Sequence, residues 1–247
     1  MRNASQDTRD ANKRAWNAQR YAAWVAAYGH PEDAAKRILN DPEHVLRRLL
    51  PYLGDVHGQY ICNVQGSHGR VAVALASLGA KVEVIDFAEE NRRYALDLAD
   101  AAGVTIDYTV CDILDAPARA HAHRFDTVLL ELGILHYHQD LDAFLGVMRK
   151  LSTEGGRLLL NEFHPVQRKL FWPDGPHDYF DDALVSADVP RPHNAEALPE
   201  QCHYRFWTIS EIVNAAITAG FILTHLDEHP DPSDPSIPGF FTLLAQT

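Results

Sequence analysis

Residues 60–86 read YICNVQGSHGRVAVALASLGAKVEVID, and their pattern decides the fold. A short apolar run (60–65) meets the turn Gly66-Ser67-His68-Gly69. An apolar helix follows and stops at Gly79, and then comes a β-branched run, KVEVIDF (81–87). Strand, glycine turn, helix, strand is the unit of a parallel sheet, because the chain must cross back through the helix before it pairs again in the same direction. The strands are continuous apolar runs rather than alternating ones, which is the pattern of a sheet covered on both faces.

The same rhythm spreads outward. AEENRRYALDLADAAG (88–103) is amphipathic, with acids in its first turn and a glycine stop. VTIDYTVCDI (104–113) predicts a third strand, FDTVLLEL (125–132) a fourth, LDAFLGVMRKLS (141–152) a helix, and RLLLNEF (157–163) a fifth strand after the Gly155-Gly156 turn. Thr208-Ile-Ser-Glu211 is a capping box that opens a helix ending near Gly220. FILTHLDEH (221–229) and GFFTLLAQ (239–246) are the last two strands, joined by a Pro-rich loop too long for a tight hairpin. Ahead of the sheet, residues 5–29 predict one helix carrying Trp16, Tyr21 and Trp24. Residues 31–52 predict one or two more, broken near Asp41-Pro42.

The expected fold is α/β: a doubly wound, seven-stranded, mostly parallel sheet in a single domain. Its parts are an N-terminal helical segment (1–57), a ligand-binding core (58–165), a cap insertion (166–206), and a C-terminal helix and strand pair (207–247). The insertion breaks the rhythm with Pro173, Pro176, Pro190, Pro192 and Pro199 among many aromatics and histidines.

Composition narrows the function. The 247 residues hold 22 Lys and Arg against 34 Asp and Glu, a net charge of −12, with 14 His. Such a chain lacks the electrostatic footprint of a protein that grips phosphate backbones, so nucleic acid is not an expected partner. Three cysteines, Cys62, Cys111 and Cys202, form no C-x-x-C and indicate a reducing compartment. The N-terminus is polar, and no apolar run approaches the ~18 residues of a membrane span. A cytoplasmic protein without a membrane partner is expected, a monomer or homodimer.

The chemical signal lies in the first turn and the acid beyond it. A strand running through a glycine turn into a helix presents backbone N–H groups to a ligand. Asp86 ends the next strand, twenty residues past Gly66, the spacing of a carboxylate that accepts from a ribose diol. The turn is not G-x-G-x-x-G, which disfavours a dinucleotide, nor is it a phosphate-cradling P-loop.

With these residues in view, ICNVQGSHGRVAVALASLGAKVEVIDFAEENRRYA (61–95) resembles the cofactor half of class I S-adenosylmethionine-dependent methyltransferases. The resemblance continues through TVCDILD (109–115), FDTVLLELGILHYHQDL (125–141) and LSTEGGRLLLNEFHP (151–165), and ends with the strand pair at 221–246. AWNAQRYAAW (15–24) resembles the leading helix of small-molecule members. The resemblance implies S-adenosylmethionine as cofactor and S-adenosylhomocysteine as product. It places Gln65, Gly66, Ser67, His68 and Gly69 under the methionine part of the cofactor, with Asn63 where the family has an acid. Asp86 would bind both ribose hydroxyls, Phe87 would pack on the adenine, Asp112 would accept from its amino group beside the Ile113 amide, and Glu131 and Leu132 would line the methionine moiety. Gln65 and Ser67 replace the loop's first two glycines while Gly69 keeps the third, so Gln65 is expected to take a backbone angle that glycine usually supplies.

Ligands of open α/β sheets bind beyond the carboxyl ends of the strands, where His68, His136, His138 and His164 fall. Methyl transfer needs alignment and, for a protonated nucleophile, removal of a proton. His136 is the first candidate base and His164 the second, although transfer by proximity alone needs neither. The pairs His121-Ala-His123 and His136-Tyr-His138 lie in loops, and no metal is expected. Phe171, Tyr179, His203 and Arg205 of the insertion, with Tyr137, Trp16 and Tyr21, are expected to line the acceptor pocket; the insertion's aromatics read equally well as the core of the cap. The function expected is methyl transfer to an O or N atom of a small aromatic or heteroaromatic metabolite, as in secondary metabolism. The alternative is a protein of the same fold that binds the cofactor without methylating, or uses it in an elimination or rearrangement.

Overall fold

The computed structural model describes residues 4–17, 20–119, 122–188 and 201–247. Its leading helices are α1 (Ala4–Asn17), α2 (Arg20–Tyr28), α3 (Pro31–Asn40), α4 (Pro42–Val45) and α5 (Leu50–Leu53). Helix lies on both sides of residues 18 and 19, within the span 5–29 predicted to be helical. The break at Asp41 is as expected: its carboxylate accepts from the His44 N–H and starts the next turn with Pro42 at its first position.

The core alternates as its sequence indicates: β1 (Tyr60–Val64), α6 (Arg70–Ser77), β2 (Lys81–Asp86), α7 (Glu89–Ala102), β3 (Asp107–Val110), β4 (Phe125–Glu131), α8 (Leu141–Leu151) and β5 (Ser152–Phe163). A two-stranded ribbon, β6 (Val185–Ala187) with β7 (Cys202–Tyr204), lies within the predicted insertion. It is too short to show a period and was not expected. The chain ends with α9 (Ile209–Thr218), β8 (Ile222–Pro230) and β9 (Pro238–Gln246). The third strand is shorter than predicted, because Gly103 and Val104 are spent closing α7 on Asp100 and Ala99. Pro190, Pro192, Pro199 and His121 lie outside the described residues.

Seven strands form one sheet in the order β3-β2-β1-β4-β5-β9-β8. The first five are parallel, and β9 runs antiparallel between β5 and β8. The apolar runs are continuous because successive residues serve opposite faces. Cys62 and Val64 pack with Phe144, Met148 and Ile212 under α8 and α9. Ile61 packs with Trp24, Ile38, Leu46 and Leu98 under α3, α4 and α7. The order reverses between β1 and β4, so the chain leaves their carboxyl ends in opposite directions and opens a crevice there. None of the described helices is long and apolar enough to cross a membrane.

Gly69 caps α6 with φ +77°, and a Cβ there would lie 2.6 Å from Ala95 Cβ and 3.1 Å from Ala95 Cα on α7. The left-handed angle and the overlap each cost about 1–3 kcal/mol for an L side chain. Gly69→Ala is expected to lower the unfolding free energy by about 2 kcal/mol or more in urea titration. A loss below ~0.5 kcal/mol would show that α6 and α7 separate freely.

Candidate active site

The turn after β1 is built around one side chain. Gln65 and Ser67 have φ of +48° and +51°, so Gln65 does take the glycine-like angle. Between them, a Cβ on Gly66 would fall 2.3 Å from Asn63 Oδ1; only glycine lets Asn63 lie under the loop. That oxygen is buried and accepts no hydrogen bond from any described residue. Two strained residues persist because the turn is held from several sides. The Gln65 N–H donates to Ile85 O (2.7 Å), Ser67 N–H to Asp86 Oδ2 (3.1 Å), and Tyr108 O–H to Ser67 O (2.9 Å). Gln65 Oε1 accepts from His138 Nε2 at 2.9 Å.

Asp86 ends β2, almost fully buried, and its Oδ1 accepts from the Ala88 N–H at 2.9 Å. Burial pushes its carboxyl above the usual carboxylate range, while the N–H groups of Ala88 and Ser67 and the Asn91 side chain pull it back. Asn91 in turn accepts from Trp24 Nε1 at 2.8 Å, which ties α2 to this acid. The Asp86 side chain lines the crevice beside Phe87.

The chain leaves β4 through Glu131, Leu132 (φ +47°) and Gly133 (φ +84°) into a helical turn, Leu135–Tyr137. Burial pushes the Glu131 carboxyl up to about 7, against the pull of Arg70. The loop is pinned by Glu162 of β5, a buried carboxylate that accepts four backbone N–H groups. These come from Gly133 (2.6 Å), Ile134 (2.7 Å), Leu135 (3.3 Å) and Phe163 (2.7 Å). His136 sits against Tyr137 and Tyr204, with ring centroids 4.4 and 5.0 Å away. Burial, and then the charge of Arg168, hold its imidazole well below the usual range.

These parts enclose a cavity of about 460 Å³. Its floor is the β1 turn with Asp86, Phe87, Glu131 and Leu132. Trp16, Trp24 and Tyr28 lie over it, and His136, Tyr137, Phe163, Arg168 and Trp172 close one end. The His68 ring packs against both Trp24 (4.4 Å) and Tyr28 (4.5 Å). A second cavity of about 390 Å³ adjoins it through Tyr28, Val45, His68 and Arg70.

Asn63, Gln65, Gly66, Ser67, His68, Asp86, Phe87, Glu131, Leu132, His136, Tyr137 and Trp16 are thus brought together. The other candidates stand elsewhere. Gly69 is the packing glycine under Ala95. Asp112 pairs with Arg9 at 3.5 Å and caps the Leu114 N–H, and Ile113 is buried in the core. His164 follows β5 away from the crevice, because its N–H joins Gly239 O of β9. Its Nε2 then lies 2.7 Å from Glu228 Oε1 and its Nδ1 accepts from Val166. Tyr21 donates to Asp97 at 2.7 Å on the outer face of α7. Phe171 is exposed, and Tyr179 Oη accepts from the Ile209 N–H. His203 meets Ser186 across the ribbon, and Arg205 stacks on Trp207. These five side chains build the cap and the helix surface rather than the cavity wall. Trp24 of the leading helix and Trp172 of the insertion's aromatic group line the cavity, as the sequence suggests. Tyr28, Arg70, Asn91, Phe163 and Arg168 line it without having been singled out; Tyr28, four residues from Trp24 on one helix face, was the legible one. Among the described residues, no group of three His, Cys, Asp or Glu is arranged to hold a metal ion.

Residues 61–156 match the family described as a methyltransferase domain. No curated protein sequence matches the chain. Among solved structures, 1,6-didemethyltoxoflavin-N1-methyltransferase from Burkholderia thailandensis, with bound 1,6-didemethyltoxoflavin and S-adenosylhomocysteine, aligns over 100% of this chain and 92% of its own. Identity is 16% and the TM-score 0.64. Magnesium protoporphyrin IX methyltransferase from Synechocystis PCC 6803, with bound S-adenosylhomocysteine, covers 97% of this chain and 99% of its own at 16% identity and a TM-score of 0.62. An S-adenosylmethionine-dependent methyltransferase from Mesorhizobium loti covers 85% and 100% at 20% identity and a TM-score of 0.58. At these identities the likeness is one of fold.

His138 turns from the loop into the core, stacked on Phe144 at 3.8 Å, and burial pushes it down to about 3. A lowered histidine leaves stability intact above the unfolded value of about 6.5 and removes it as pH falls, by up to ~1.4 kcal/mol per pH unit. Glu131, raised to about 7, acts oppositely between its unfolded value and 7, so the comparison must be differential. His138→Gln is expected to lose less stability than the parent between pH 6.5 and 5, by roughly 1 kcal/mol per unit in urea titrations. Parallel profiles would place the imidazole's titration elsewhere.

Proposed function

We propose that this chain, whose residues 61–156 match a methyltransferase-domain family, transfers a methyl group from S-adenosylmethionine to an O or N atom of a small, aromatic or heteroaromatic acceptor. The observation that carries the reading is the buried Asp86 carboxylate, facing the crevice beside a turn whose Asn63 oxygen has no partner among the described residues. A cavity of about 460 Å³ suits a nucleoside-sized ligand together with part of a small acceptor. Acceptor atoms lie at both ends of the floor, Asp86 beside the ring of Phe87 and Glu131 beside Arg70. This fits a ligand with a diol and a flat base at one end and an ammonium and carboxylate at the other. The cofactor supplies an electrophilic methyl group on a sulfonium. The chain supplies the rest: Asp86 accepts from the ribose hydroxyls, Phe87 packs against the base, and the β1 turn lies under the methionine part.

The acceptor end is walled by Trp16, Tyr137, Phe163 and Trp172, flat apolar surfaces that favour a planar molecule. Two of the solved relatives, named for 1,6-didemethyltoxoflavin and magnesium protoporphyrin IX, support an acceptor of this kind. The net charge of −12 supports a partner other than nucleic acid. His136, held neutral, serves as a hydrogen-bonding ring that orients the acceptor rather than as a proton store. Alignment within the cavity is then the main source of rate.

In calorimetric titration with S-adenosylhomocysteine, Asp86→Ala is expected to weaken binding by about 100-fold or more, the scale of losing charge-assisted hydrogen bonds in a buried site. Unchanged affinity would remove Asp86 from the cofactor site. Incubation with methyl-labelled cofactor and a metabolite extract should yield a labelled small molecule; intact binding with no labelled product would favour the non-methylating alternative. With the acceptor in hand, the single-turnover rate should show no inflection near pH 6.5. An inflection that His136→Gln abolishes would restore His136 as a base.

A further inference from the structure

The cavity holds one cation that the protein leaves unpaired. Arg168 follows β5 in the turn Gln167–Phe171, and its guanidinium lies over the Phe163 ring at 3.6 Å and 5.0 Å from the Trp172 ring. Its Nε is buried without a hydrogen-bond partner, and no described carboxylate lies in salt-bridge range of it. Glu162, the acid that acts on it electrostatically, has both oxygens committed to backbone N–H groups. Other buried cations have protein acceptors on at least one of their N–H groups, although the Arg20 Nε also lacks one. Arg20 donates to Ala15 O, Arg157 to Leu53 O and Gln59, and Lys169 to the carbonyls of Asp181 and Phe206. Arg70, the cavity's second guanidinium, stands at the floor end and faces Glu131.

A buried, unpaired charge is costly unless something arrives to pair with it. The guanidinium packs on Phe163 and near Trp172 in the cavity wall, and no described acceptor takes its N–H groups. The N–H edge of a guanidinium matches a planar oxyanion in two parallel hydrogen bonds. The surroundings are one-sided in charge: the lining acids Asp86 and Glu131 lie at the cofactor end, and His136, Tyr137 and Trp172 beside Arg168 are neutral.

We propose that Arg168 is a specificity-determining residue of the acceptor pocket and that the acceptor carries a carboxylate, which Arg168 pairs with. The inference rests on the methyltransferase reading for the identity of the pocket, and on Arg168 alone for its charge preference. Benzoate and benzamide, equal in shape and different in charge, are suitable probes. Their binding to the full chain is measured by saturation-transfer NMR and by calorimetry, with and without saturating S-adenosylhomocysteine. Benzoate is expected to bind about tenfold tighter than benzamide in both conditions, as a charge-assisted pair requires. Arg168→Met keeps the packing between the rings; it should abolish that preference and bind S-adenosylhomocysteine as the parent does, while Arg168→Lys should keep part of it. Equal binding of the two probes, absence of benzoate binding at tens of millimolar, or a preference that survives in Arg168→Met would overturn the proposal. Displacement of benzoate by S-adenosylhomocysteine would also overturn it, by assigning the anion site to the cofactor's own carboxylate. Failure of S-adenosylhomocysteine to bind the parent protein would instead defeat the methyltransferase reading. The two failures are therefore distinguishable, and the parent comparison needs no variant to fold.

Discussion

The cavity depends on the carboxylate of Glu162. Four N–H groups converge on it, three from the loop beyond β4 and one from its own strand end. A buried carboxylate without donors would shed its charge or disrupt the fold, and peptide N–H groups without acceptors would be nearly as costly. Each need answers the other, and hydrogen bonds to a charged group are worth about 1.5–3 kcal/mol apiece. Past the Leu132 N–H, which still bonds Asn161 O of β5, the left-handed Leu132 and Gly133 take the chain out of the sheet ladder. The loop's path is set by an acid on the neighbouring strand. The positions of His136 and Tyr137 follow from that arrangement.

A second set of contacts joins this loop to the opposite half of the site. His138 donates to Gln65, and Gln65 is one of the two strained residues of the β1 turn. Ser67, the other, donates to Asp86, and Asp86 is coupled through Asn91 to Trp24 of α2. The floor for one ligand and the wall for the other therefore belong to one connected polar network. Where the turn lacks two customary glycines, the strain is offset by side-chain and backbone hydrogen bonds to its flanks.

Much of this was legible because it is local. A strand buried on both faces must be apolar at every position, so β1, β2, β4 and β5 declare themselves. Asp86 is readable from its distance along the chain, and Gln65 from the backbone angle its position demands. What escaped depends on where a loop turns its side chains, which has no period. His164 follows β5 as reasonably as His136 follows β4, yet pairing with β9 carries it to Glu228. Tyr21, Phe171, Tyr179, His203 and Arg205 have the composition of a binding site and are used to build the cap and helix surfaces. Arg168 sits in the same aromatic stretch, within the π-helical turn at 167–171, and lines the cavity.

The distribution of indoles has one further consequence. The chain has four tryptophans. Trp16, Trp24 and Trp172 face the cavity, and Trp207 is buried, donating to the Leu135 carbonyl of the pinned loop. Every indole in the molecule is therefore either in the cavity wall or one hydrogen bond from it, and Trp24 lies face to face with His68 of the floor. The intrinsic fluorescence of this protein is in effect the emission of its ligand site, an optical label already in place and needing no attached dye.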